Sequence, residues 1–222
     1  MATNTNINPD TSPQVLQTYA LLQIAAEAFL GSDREDPASV PGVTTKPILL
    51  GNETLLTTGN LHSSKMTAEQ AKQFAQEWTV ISHQPNTATG FSATLFQFTG
   101  KSDPARGLTT GQYVVSFRST EFVEDQVRDS KATNELEISE GGWAFGQIAD
   151  MQKWWNTVKS QVAGKVDVTG YSLGGHLATA FYQLNSGDIN KVYTFNGAGV
   201  WEVKAGTLNS FSANECEFHD VA

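Results

Sequence analysis

The stretch Val166-Asp167-Val168-Thr169-Gly170-Tyr171-Ser172-Leu173-Gly174-Gly175-His176-Leu177-Ala178 constrains the fold more than any other. Val166 to Thr169 is a short run rich in β-branched residues, the pattern of a buried strand. Leu177 to Leu184 carries apolar residues at helical spacing. Gly170 to Gly174, between them, spells G-x-S-x-G. A strand that becomes a helix across five residues must turn tightly, which puts Ser172 in a strained conformation with its hydroxyl lifted clear of the sheet. Glycine at 170 and 174 removes Cβ atoms that would clash as strand and helix approach. The helix start supplies unpaired N–H groups and a partial positive charge beside the hydroxyl. Alone, the pentapeptide also fits a glycine-rich turn without chemistry. The strand before it and the helix after it make it a nucleophile elbow.

The 222 residues suit one α/β domain, 1–222, with a polar tail over residues 1–11 expected to be disordered. Net charge is −9, from 14 basic and 23 acidic residues, and no basic cluster offers a surface for nucleic acid. Cys216 is the single cysteine, so no intramolecular disulfide forms. No apolar run approaches the roughly 18 residues of a membrane-spanning helix. The N-terminus lacks a signal-peptide pattern, which fits the cytoplasm and secretion without a cleavable signal alike. No Cys/His set has ligand spacing, and the acidic stretch 121–140 lacks a calcium-loop pattern, so neither metal nor cofactor is expected.

Ser12-Pro13 reads as a helix start, with apolar positions running from Val15 to Phe29 and Gly31 as the stop. Residues 32–47 read as a loop with three prolines. Thr67-Ala68-Glu69-Gln70 resembles a capping box before a helix from Ala71 to Trp78. Phe91–Phe98 and Tyr113–Phe117 read as the two strands of a hairpin. A polar loop over 118–142 precedes a long helix from Trp143 to Val162, then the elbow, then a strand over Val192–Phe195. Strand, helix, strand, helix, strand implies parallel pairing.

Val114-Val115-Ser116-Phe117-Arg118-Ser119-Thr120 resembles the strand and loop that class 3 lipases write as hydrophobic-Phe-Arg-Gly-Thr/Ser. Gly170 to Gly174 resembles their elbow, and Thr194-Phe195-Asn196-Gly197-Ala198-Gly199 resembles the exit of their next strand. The last of these is also similar to bacterial lipase-like α/β-hydrolases, some of which continue into calcium-binding glycine-rich repeats. The match covers roughly residues 90 to 200. The resemblance implies an α/β-hydrolase-like fold, a mostly parallel sheet flanked by helices. It implies Ser172 as nucleophile, with the N–H groups of Leu173 and Thr120 as oxyanion donors. Tyr171 stands where the family's commonest form has His, and Ser119 where it has Gly. Arg118 is open to two readings, a partner for Glu121 or Asp129 or a solvated side chain.

A serine needs a base. The family order is Ser, Asp, His, with the acid at the end of a strand after Phe195 and the histidine in a later loop. After Ser172 the chain holds His176, Asp188, His219 and Asp220. His176 reads as a core or supporting residue on the elbow helix, and Asp188 as a turn residue bonding its own backbone. His219-Asp220 stands in reverse order with no strand expected to hold it, and His62 and His83 precede the nucleophile. The chain is therefore expected to lack its C-terminal strands and part of its triad.

Three functions remain. The first is a lipase-type ester hydrolase acting on a lipid or ester small molecule, with transient contact to a lipid surface. The loop 121–142 could then form a lid, and Phe117, Phe122, Trp143 and Phe145 an acyl pocket or simply core. The second is a non-catalytic module of the same fold binding a lipid or a protein. The third is a thioesterase or amidase.

Overall fold

The computed structural model describes residues 9–28, 53–59, 64–119, 144–197 and, for the main chain only, 217–221. Helix α1, Pro13–Glu27, starts as its sequence dictates: Ser12 Oγ accepts from the Val15 N–H at 3.3 Å, with Pro13 in the first turn. Phe29, Gly31 and the loop 32–47 lie outside the described residues. A 3-10 turn over Pro9–Thr11 precedes α1, and Asp10 within it pairs with Lys191. Helix α2 spans Glu53–Thr58 and α3 spans Ala68–Glu77. The capping box forms, since Thr67 Oγ1 accepts from Gln70 N–H at 3.2 Å and Gln70 Oε1 accepts from Thr67 N–H at 2.9 Å.

Trp78 belongs to strand β1, Trp78–Gln84, rather than to α3, and the sequence reading did not anticipate this strand. Strands β2, Ala93–Phe98, and β3, Tyr113–Phe117, pair antiparallel as expected, and β1 pairs antiparallel with β2. Helix α4, Phe145–Val158, leads to β4, Val166–Tyr171; helix α5, Leu173–Asn185, leads to β5, Ile189–Phe195. β3, β4 and β5 are parallel, as their alternation with helices predicts. A sixth strand, β6, Glu217–Val221, extends the sheet parallel to β5 and corrects the expectation that no strand holds His219-Asp220. The spatial order β1-β2-β3-β4-β5-β6 follows the chain.

Each sheet face has its own core. Ala93, Leu95, Val115, Phe117, Val166, Val168 and Val192 meet Met151, Trp155, Leu177 and Phe181 of α4 and α5. Phe96, Phe98, Val114 and Tyr193 meet Tyr19 and Leu22 of α1 and Phe74 of α3. Alternation along each strand divides the residues this way. The α1 face also buries polar groups. Asp167 accepts from Tyr19 Oη at 2.6 Å, Gln112 Nε2 at 2.5 Å and Asn190 Nδ2 at 2.8 Å, while Tyr19 stacks on Tyr193 at 3.8 Å. Burial pushes the Asp167 carboxyl above its usual range against the pull of these three bonds. Among the described residues no helix is long and apolar enough to cross a membrane.

Candidate active site

The elbow has the geometry its sequence demands. Ser172 sits between β4 and α5 at φ 52°, ψ −118°. Among the described residues only Asn196 shares a positive φ without being glycine, and it follows the neighbouring strand β5. Such a conformation costs a residue with a Cβ about 1–3 kcal/mol and persists only where its surroundings impose it. Here Ser172 N–H donates to the Phe195 carbonyl of β5 at 3.1 Å, and Ser172 carbonyl accepts from His176 N–H at 3.2 Å. Both ends of the serine are thus tied to regular structure.

Three glycines let the elements close. A Cβ at Gly170 would overlap the Gly174 carbonyl, one at Gly174 would overlap the Phe117 carbonyl, and one at Gly175 would stand 2.7 Å from Gly197 Cα. The last contact, between the elbow helix and the exit of β5, was not part of the sequence reading. Gly197 could have signalled it, since it follows the next strand's end as Gly175 follows the elbow.

Leu173 is the first residue of α5, so its N–H has no acceptor within the helix and lies beside the serine. Its side chain is buried in the core, leaving the main chain as its contribution. Thr120, the other oxyanion candidate, lies outside the described residues, as do the loop 121–142, Glu121, Phe122, Asp129, Trp143 and the side chain of Phe145. The described chain runs up to Ser119, whose N–H donates to Glu27 Oε1 at 2.6 Å. Arg118 is 3% exposed, which overturns the solvated reading. Phe117 is fully buried against Phe91 and Phe181 and so belongs to the core rather than to a pocket.

The two histidines whose side chains are described, His176 and His83, are committed away from Ser172. His176 is fully buried and its Nε2 accepts from the Ala144 N–H at 3.2 Å, the supporting role expected of it. That bond requires Nε2 to be unprotonated. His83 lies on β1, three strands from β4, with Nδ1 2.9 Å from Thr94 Oγ1. His62 lies outside the described residues. Asp188 precedes β5 and sits at the end of the sheet away from the elbow, where its Oδ2 accepts from Trp155 Nε1 at 3.0 Å.

Asp220 is placed differently. Gly170, Thr194 and Asp220 form one row across β4, β5 and β6, at the end of the sheet from which Ser172 emerges. Two strand spacings, roughly 10 Å of main chain, separate the row's outer members. The sequence hid this position because Glu217–Val221 has few apolar residues and lies 22 residues beyond β5, counting from Phe195 to Glu217.

No protein-family model matches the chain, and no curated protein matches its sequence. Among solved structures it is similar to Lip2 lipase from Yarrowia lipolytica, with 18% identity and TM-score 0.41 over 82% of this chain and 57% of that one. It is also similar to the Rhizomucor miehei lipase propeptide complex, with 14% identity and TM-score 0.37 over 82% of this chain and 51% of that one. The chain spans just over half the length of these lipases. The chain's own sheet is mostly parallel and flanked by helices, the arrangement expected of an α/β-hydrolase-like fold. Neither neighbour lends support to the bacterial type with calcium-binding repeats.

Proposed function

We propose that the chain is a serine carboxylic-ester hydrolase of lipase type. The observation that carries the reading is the backbone of Ser172, held at φ 52° between a parallel strand and a helix start. Strain of this kind gathers at sites where a side chain must be presented. Ser172 Oγ attacks the carbonyl carbon of an ester and gives its proton to a base. The charge that develops on the carbonyl oxygen is met by the Leu173 N–H and the positive end of α5, with Thr120 as the second donor. The bond to the alcohol then breaks, the alcohol leaves with the proton, and water releases the acid from Ser172.

The main chain of Asp220, in one row with Gly170 and Thr194, supports placing the acid that orients the base on β6. His176 and His83 are committed to Ala144 and Thr94, so the base is a group whose side chain lies outside the described ones. The substrate is a lipid or another ester small molecule, reached through transient contact with a lipid surface. A thioester or amide would meet the same nucleophile and differ in its leaving group.

A second reading rests on the same two histidines. With neither at the serine, the fold could bind a lipid or a protein partner without turning it over. Mass spectrometry after a fluorophosphonate probe separates the two readings. Rapid modification at Ser172 that is lost in Ser172→Ala supports the hydrolase. A folded chain that stays unmodified, and cleaves no short-chain nitrophenyl ester, sinks it and favours the binding module.

A further inference from the structure

Glu27 closes the last turn of α1 and is buried, at 5% exposure. A buried carboxylate is costly unless donors meet it. Two meet it at one oxygen: Oε1 accepts from Ser119 N–H at 2.6 Å and from Gln23 Nε2 at 2.6 Å. Gln23 is itself fixed, since its Oε1 accepts from Ser116 Oγ at 3.1 Å. A buried polar relay thus runs from β3 through α1 and back to the main chain two residues past the end of β3.

The same main chain is pressed from the other side by the elbow. A Cβ at Gly174 would overlap the Phe117 carbonyl and stand 3.0 Å from the Arg118 carbonyl. Residues 117–119 are therefore held between the first turn of α5 and the end of α1. A neutral side chain could satisfy the Ser119 N–H with less desolvation. A carboxylate makes a shorter, stiffer, charge-assisted bond, which suits a segment whose place must be fixed.

We infer that Glu27 is a positioning residue for the elbow, fixing the exit of β3 against Ser172 through the Ser119 N–H. The inference rests on the reading of Ser172 as nucleophile and adds a part to it. Glu27 acts through the Ser119 N–H. It sets the main chain of residues 117–119, packed on the first turn of α5, and so the electrostatics that a developing oxyanion meets.

The test compares the full chain with Glu27→Ala, Glu27→Gln and Gln23→Met. Fluorophosphonate modification of Ser172 is measured at several probe concentrations, so that the maximal rate separates from the half-saturating concentration. Thermal denaturation reports folding. Glu27→Ala should lower the maximal rate about 10- to 100-fold, with half-saturation and pH profile unchanged. Glu27→Gln keeps an acceptor and should stay within about fivefold of the wild type. Gln23→Met removes the amide that orients Glu27 and should fall between them. A folded Glu27→Ala chain reacting at the wild-type rate overturns the positioning role. So does an equal loss in all three variants that follows their loss of stability. If Glu27→Ala does not fold, Gln23→Met decides by the same criterion. A wild-type chain that is not modified at Ser172 is a different failure: it removes the nucleophile reading, and this inference with it.

Discussion

A methyl group on Gly174 would run into the main-chain carbonyl oxygen of Phe117, so the elbow helix and the end of β3 touch backbone to backbone. Neither partner is a flexible side chain that could swing aside. Gly174→Ala should cost about 1–3 kcal/mol of stability, the usual range for overpacking. It should also slow modification of Ser172 by more than about tenfold, because the helix start must move. Gly187→Ala, with open space around the added Cβ, is the control and should leave both unchanged. Urea unfolding and probe kinetics on the two variants check the contrast.

The strain at Ser172 has a measurable counterpart. Glycine adopts φ 52° readily, whereas alanine keeps the penalty of a Cβ. Ser172→Gly should therefore be about 1–2 kcal/mol more stable than Ser172→Ala, although both lack the hydroxyl. Equal urea midpoints for the two variants would contradict a strained elbow.

His176 offers a direct comparison of support with catalysis. Its Nε2 accepts from Ala144 N–H at the start of α4. His176→Gln keeps an acceptor and should leave the rate of Ser172 modification within about threefold, far from the 10²–10⁴-fold loss that follows removal of a general base. His176→Ala leaves a cavity and an unsatisfied N–H, and should cost about 2–4 kcal/mol in urea unfolding.

The buried Asp167 predicts a pH dependence opposite in sign to that of a salt-bridged carboxylate. Burial raises its pKa in the folded chain, so the folded state holds the proton more tightly than the unfolded one. The site's contribution to stability is fully present below the unfolded value of about 3.9 and is lost as pH rises through the folded value. Asp167→Asn cannot titrate. The stability of the wild type minus that of Asp167→Asn should therefore fall as pH rises out of the acid range and then level off. A flat difference between the two unfolding series would show that Asp167 does not carry the dependence.

The sequence made the elbow legible because a tight turn leaves no freedom in composition: two glycines, a serine, a β-branched run and an apolar helix must all coincide. Helix caps at Ser12 and Thr67 were equally readable, since each rests on contacts three residues apart. β1 escaped because α3 passes into it at Trp78 without a glycine or proline between them. β6 escaped because Glu217–Val221 carries only Phe218 and Val221 as large apolar residues. The Glu27–Ser119 bond joins residues 92 apart, and no spacing rule connects them. The place of Asp220 in one row with Gly170 depends on strand order, which periodicity does not encode.

The sheet whose spatial order repeats its chain order has a consequence for biosynthesis. As the chain leaves the ribosome, α1 and the β1–β3 meander emerge well before the elbow, so the Glu27 anchor is available before the segment it will help to orient against. The elbow itself waits longer. Its serine N–H is held by the carbonyl of Phe195, the last residue of β5, and Gly175 closes on Gly197 just beyond. A nascent chain arrested before Phe195 carries Gly-Tyr-Ser-Leu-Gly without the main-chain bond that ties Ser172 to β5. The strained form of Ser172 is thus a late product of synthesis, reached when most of the sheet already exists to hold it.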